Sequence, residues 1–183
     1  HPEDVYVSIV PFSKDVNFGS ANYAQSWLRW DLWEEDNGSC WAGMNSLVNA
    51  MSSAGNTNQA IGLQLGSASL IGGGPFPTPP PKDPLYIYTD VVILMTDGLN
   101  TQNRWTTDQA TIDAREAITC DNLRTAHVDV YTIQVNTGGD PTSTLLQNCA
   151  STSDKFYLLT SADQMTATFN KIGTNLTKLR VAQ

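Results

Sequence analysis

The chain has 183 residues, 40% of them apolar, which is enough for one ordinary domain with a single sizeable core. Its net charge of -8 and pI near 4.5 repel phosphate backbones and anionic headgroups. No basic patch offsets that field, so no nucleic-acid partner is expected.

The first predicted element is a strand at residues 5–10, VYVSIV, rich in β-branched side chains and closed by Pro11, which has no N–H for a further ladder. An irregular, aromatic-rich stretch follows at about residues 18–43 and reads as an insertion. Residues 44–53 then put Leu47, Val48 and Met51 on one helical face. In GNTNQAIGLQLGSASL, Thr57 or Asn58 can cap a helix carrying Ile61, Leu63 and Leu65. The next stretch, IGGGPFPTPPPKDP, breaks all periodicity, and about residues 71–89 read as a Gly/Pro surface loop. It is no phosphate cradle, because prolines stand where a P-loop needs Lys-Ser/Thr before a helix.

Residues 91–95, VVILM, predict a strand buried on both faces. Residues 107–126 place Ile112, Ala114, Ala117, Ile118 and Leu123 at spacings suited to a helix packed on a sheet. A strand is predicted at 128–136, VDVYTIQVN, and a short helix from Pro141 through Leu145, Leu146 and Cys149. KFYLL at 155–159 is the next strand, and residues 162–180 form a last amphipathic helix with Met165, Phe169, Ile172, Leu176 and Leu179.

Strands alternating with helices, the strands apolar without period-two alternation, predict a doubly wound, mainly parallel α/β sheet covered on both faces. Ligands of such sheets sit beyond the carboxyl ends of the strands, near the point where strand order reverses. Asp97 lies at such an end, in VVILMTDGLNT. Two readings are open: Thr96-Asp97-Gly98 as a simple turn, or a carboxylate with neighbouring hydroxyls offering oxygens to a hard cation such as Mg²⁺. The second needs further oxygens from other loops.

The longest apolar runs fall far short of the ~20 residues that span a bilayer, and nothing resembles a secretory signal. The chain opens on His1 and not on Met, so upstream elements are expected. Its cysteines, Cys40, Cys120 and Cys149, lack both CxxC spacing and histidine partners, which argues against structural zinc. Two of them can pair in an oxidising compartment; in a cytosol all three would stay small buried hydrophobes. His127 follows a helix and reads as its terminating residue, near carbonyls that favour charge. Trp27, Trp30 and Trp33 recur every third residue, with Trp41 near. They suit a stacking surface for sugars or a partner protein, although an apolar anchor for the insertion is the stronger reading. Glu34, Glu35 and Asp36 read as a solvated loop, although an acidic triplet can also hold calcium weakly. No Gly-x-Ser-x-Gly, no nucleophile with a suitable histidine and no His-Glu-x-x-His is present, so an enzyme is not expected.

VVILMTDG after GNTNQAIGL resembles the von Willebrand factor A domain, whose metal-ion-dependent adhesion site takes a threonine from its second loop and an aspartate from its third. Thr57 and Asp97 match those positions. The chain is more similar still to the carboxyl-terminal A-type domain of TadG-like proteins of the Flp, or tight-adherence, pilus system. The matching stretches are VSIVPFSKDVN, GNTNQAIGLQLG, VVILMTDGLNT, IDAREAITCDNLRTAHVDVYTIQVN, LLQNCAS and LRVAQ, over nearly the whole chain. The family's Asp-x-Ser-x-Ser motif is missing; the nearest strings, at Asp36 and at Asp140-Pro141-Thr142-Ser143-Thr144, fit in neither type nor position.

The resemblance therefore implies a single A-type domain over residues 1–183 that lacks the family's first strand and helix. Thr57 and Asp97 are left as a half-site for Mg²⁺ or another divalent cation, complete in a longer parent and weak or absent in this chain. It implies a non-enzymatic, protein-binding adhesion domain engaging pilus components or surface proteins. The expected location is outside the bacterial cytoplasm, periplasmic or at the cell surface, behind an amino-terminal inner-membrane anchor. Right-handed crossovers would set the helices of Cys120 and Cys149 side by side, where a disulfide can form and persist in that compartment. The rival reading is a metal-dependent hydrolase on the same sheet, with Asp97 as base or ligand.

Overall fold

The computed structural model describes residues 7–12, 49, 55–72, 79, 81–85, 87–161 and 163–178. Its elements are α1 (Gln59–Ile71), β1 (Val91–Thr96), α2 (Gln109–Thr125), β2 (Asp129–Val135), α3 (Thr144–Cys149), a 3-10 turn (Ser153–Lys155), β3 (Phe156–Leu159) and α4 (Gln164–Lys178). The three strands form one parallel sheet in the order β1-β2-β3, with Val91 opposite Asp129 and Thr132 opposite Phe156. Parallel neighbours need crossovers, which α2 and α3 supply.

Helices lie on both faces, so the fold is α/β and doubly wound. On one face Leu63 of α1, Cys120 and Leu123 of α2, and Leu146 and Cys149 of α3 close over Leu94 and Val130. On the other, Ile172 of α4, with Met165 and Leu176, packs over Tyr131, Ile133, Val135 and Leu159. β2 is the central strand, and its side chains alternate between these two clusters. Its two buried polar residues are satisfied locally. The Thr132 hydroxyl donates to the Leu146 carbonyl at 2.8 Å, while Gln134 donates to the Pro141 carbonyl at 3.0 Å and accepts from Ser143 N at 2.9 Å.

Several expectations are corrected. Residues 7–10 form no strand, and Val7 and Ile9 are exposed: β-branched residues favour a strand only where a ladder is offered. Phe12 anchors this segment instead, packed so tightly on α1 that a Cβ at Gly62 would lie 2.4 Å from its ring. In β1 only one face is fully covered, because Ile93 and Met95, on the α4 side, are 37% and 41% exposed. Among the described residues β1 also has a strand partner along one edge alone. On α2, Ala114 and Ile118 point outward, and the buried stripe runs through Ile112, Glu116, Thr119, Cys120 and Leu123. On α1 the buried set is Gln59, Gly62, Leu63, Ser67, Ala68 and Ser69, with Ile61 and Leu65 only half-buried. Phe169 of α4 is exposed as well.

Helix starts shift to residues that can cap. Asp108 accepts from Thr111 N at 3.0 Å and starts α2, while Ser143, not Pro141, starts α3 by accepting from Leu146 N at 3.2 Å. His127 terminates α2 in the left-handed region, at φ 57°. Trp27, Trp30, Trp33 and Cys40 lie outside the described residues, as does the predicted helix at 44–53 apart from Asn49, which is helical.

Candidate functional site

Thr57 stands two residues before α1 and Asp97 directly after β1, and the structure brings their two loops together. Thr101 N and Gln102 N donate to the Thr57 carbonyl at 2.9 and 3.3 Å. Thr57 N donates back to the Thr101 hydroxyl at 2.8 Å, and the Gln59 side chain reaches the Gly98 carbonyl at 2.9 Å. Within the loop the buried Thr96 hydroxyl bonds with the Gly98 backbone, which shapes the turn and turns Asp97 outward. The carboxylate of Asp97 is exposed, and no described residue hydrogen-bonds it.

Such a carboxylate suits a hard cation, which is held by oxygen and drawn to a ligand not already paired. The donor set is small. Among the described residues no three His, Cys, Asp or Glu side chains converge as a metal cluster. One further carboxylate stands close, since a Cβ on Gly98 would lie 3.7 Å from Asp140 Oδ2. Asp140 opens the DPTST string whose position in the chain argued against it, and the β2–α3 loop delivers it to the Asp97 turn. Beside it lies a cleft of about 320 Å³ lined by Leu99, Gln109, Asp113, Thr142, Ser143 and Leu145 among others. Trp105, on the same loop as Asp97, is exposed, with the Arg115 guanidinium 5.2 Å from its ring centre.

Beneath the turn sits a buried polar group centred on Asn100. Its Oδ1 accepts from Gln59 N, the first residue of α1, at 2.7 Å. Its Nδ2 donates to Asp113 Oδ1 and Glu116 Oε2 of α2, both at 2.8 Å. One side chain thus joins the Asp97 loop to two helices. Glu116 is 0% exposed, and its Oε1 has no hydrogen-bond partner among the described residues. Burial pushes its carboxyl up to about 7; the Asn100 bond opposes this and the neighbouring Asp113 charge adds to it.

Neither a protein-family model nor a curated protein sequence matches the chain. Similar solved structures are two crystal structures of proximal thread matrix protein 1 from the mussel byssus, 21% and 20% identical, each over 72% of this chain, with TM-scores of 0.46 and 0.49. The pilus adhesin SpaC from Lactobacillus rhamnosus GG is similar over 76% of the chain at 16% identity, with a TM-score of 0.55, and shares its fold. The chain spans 27%, 28% and 21% of those proteins.

The disulfide joins the expected pair: Cys120 of α2 and Cys149 at the end of α3 are bonded, with Cα atoms 5.2 Å apart. Arg124 reinforces the contact by donating to the Asn148 carbonyl at 2.8 Å. Asn100, Asp113 and Glu116 were missed in the sequence, and Asp140 was weighed there and set aside. The signal for Glu116 was present, because Ile112, Glu116, Cys120 and Leu123 recur at helical spacing and place an acid inside an apolar stripe.

Proposed function

We propose that this chain is a non-enzymatic, protein-binding domain of adhesion type, belonging to a TadG-like pilus-assembly protein, and that Thr57 and Asp97 contribute to a divalent-cation site engaging an acidic group of the partner. The observation that carries the reading is the joining of the Thr57 and Asp97 loops at the carboxyl end of β1, with the Asp97 carboxylate exposed and unpaired among the described residues. The Cys120–Cys149 bond supports an oxidising, extracytoplasmic location. No helix of the described residues is long and apolar enough to cross a membrane.

When bound, Mg²⁺ would supply a positive charge to which a partner carboxylate can coordinate; this chain's residues would hold one side of it. The test is thermal unfolding with and without Mg²⁺. A longer parent should gain stability at millimolar Mg²⁺ and lose that gain in Asp97→Ala or Thr57→Ala, while this chain responds little. An unchanged gain in Asp97→Ala would overturn the site. Micromolar affinity in this chain alone would mean that more ligands are present, and Asp140→Ala is then the first variant to make.

A further inference from the structure

Asn100 joins the Asp97 loop to α1 and α2 through three hydrogen bonds of 2.7 to 2.8 Å, and one partner, Glu116, is an acid without access to solvent. A carboxylate in that position is costly, since an ionised group needs water or a compensating cation. Asp113, accepting from the same Asn100 amide, adds a like charge. The elements packed around it supply no opposing charge: α1, β1 and α3 carry no ionisable side chain apart from the disulfide-bonded Cys149, and on α2 the adjacent Arg115 lies over the Trp105 ring. β2 carries only Asp129, paired with Lys155 at the other end of the strand, and Tyr131, which belongs to the opposite core.

We infer that Asn100 and Glu116 form a proton-controlled tie: while Glu116 is protonated and buried, Asn100 holds the Asp97 loop against the start of α1, and when Glu116 ionises it is drawn to water and the loop is released. Asn100 is thus a positioning residue for Asp97 and Thr57, acting through backbone spacing and not by contact with a bound ion. Rising pH would loosen the site and falling pH would set it. The inference rests on the reading above for its functional meaning, but the tie can be measured without metal or partner. Failure of one therefore leaves the other standing.

The experiment is hydrogen exchange on the full chain from pH 5 to 9, corrected for intrinsic rates, reading peptides that contain Gln59, Thr101 and Gln102. These amides bond to Asn100 and to the Thr57 carbonyl. An acid held at about 7 when closed and near 4.5 when open raises the open population roughly tenfold between pH 6 and pH 8. Wild type should show that rise, and Glu116→Gln, which still accepts from Asn100, should be flat. Asp113→Asn removes the like charge, so its exchange should level off at lower pH and rise less between pH 6 and pH 8. A flat wild type, or a rise of the same size in Glu116→Gln, overturns the tie. If Glu116→Gln does not fold, a wild-type profile in Asp113→Asn does so.

Discussion

Replacing Glu116 by Gln should stabilise the protein at alkaline pH and have little effect in acid. The ordinary carboxyl value is 4.5 and burial raises it to about 7. Below pH 4.5 both folded and unfolded chains hold the proton, and ionisation costs the fold nothing. Between 4.5 and about 7 the unfolded chain releases it while the folded chain keeps it, so stability falls as pH rises; above about 7 the loss is complete. At ~1.4 kcal/mol per pH unit, the full loss is about 3 kcal/mol, a large part of the roughly 5 to 15 kcal/mol that holds a domain together. Gln carries no such cost and preserves an oxygen for the Asn100 amide. Urea unfolding followed by tryptophan fluorescence, at pH 4.5, 6, 7 and 8, should show the variant ahead by up to about 3 kcal/mol at pH 8 and level at pH 4.5. Comparing the two proteins at each pH cancels the other titrating groups. A difference that does not change with pH, or a variant weaker than wild type at pH 8, would show that the carboxyl is solvated and its burial misread.

Two further substitutions test the frame around the site. Replacing Cys120 and Cys149 by Ala opens a loop with a sequence separation of 29, which chain entropy values at about 3 to 4 kcal/mol. Denaturant midpoints with and without reductant measure it, and a reductant effect that persists in the double variant would implicate another bond. His127→Gly relieves a left-handed residue at φ 57° and should add about 0.5 to 1 kcal/mol in the same assay, where a loss would show that the imidazole itself matters.

The parts of the fold legible in the sequence are those whose signal is local. VVILM is apolar enough to read as a strand, and the Gly/Pro run after Ile71 reads as the end of a helix, whereas the caps Asp108 and Ser143 are not marked out by spacing, which starts the two helices two and three residues early. The segment at 7–10 has the same composition as a strand, but a strand is a relation to a neighbour, which composition does not encode. The half-covered face of β1 was illegible for a similar reason: Ile93 and Met95 are as apolar as Val92 and Leu94, and only the placement of α4 separates them. At the candidate site, Thr57 and Asp97 are singled out by resemblance, whereas Glu116 was passed over because an acid on a charged helix ordinarily faces water. Asp140 is 43 positions from Asp97, and only the crossover through β2 brings it near.

The disulfide encloses β2, the strand on which both cores are built. A pulling force applied at the two ends of this chain must pass through the Cys120–Cys149 bond and bypass the residues between. The 29-residue span, worth about 100 Å of extended chain at ~3.6 Å per residue, stays out of the line of force while the bond holds. Force can strip β1 or β3 from the sheet, but it cannot draw out the central strand. Reduction would add that hidden length to the extension and let the core be pulled apart from its middle.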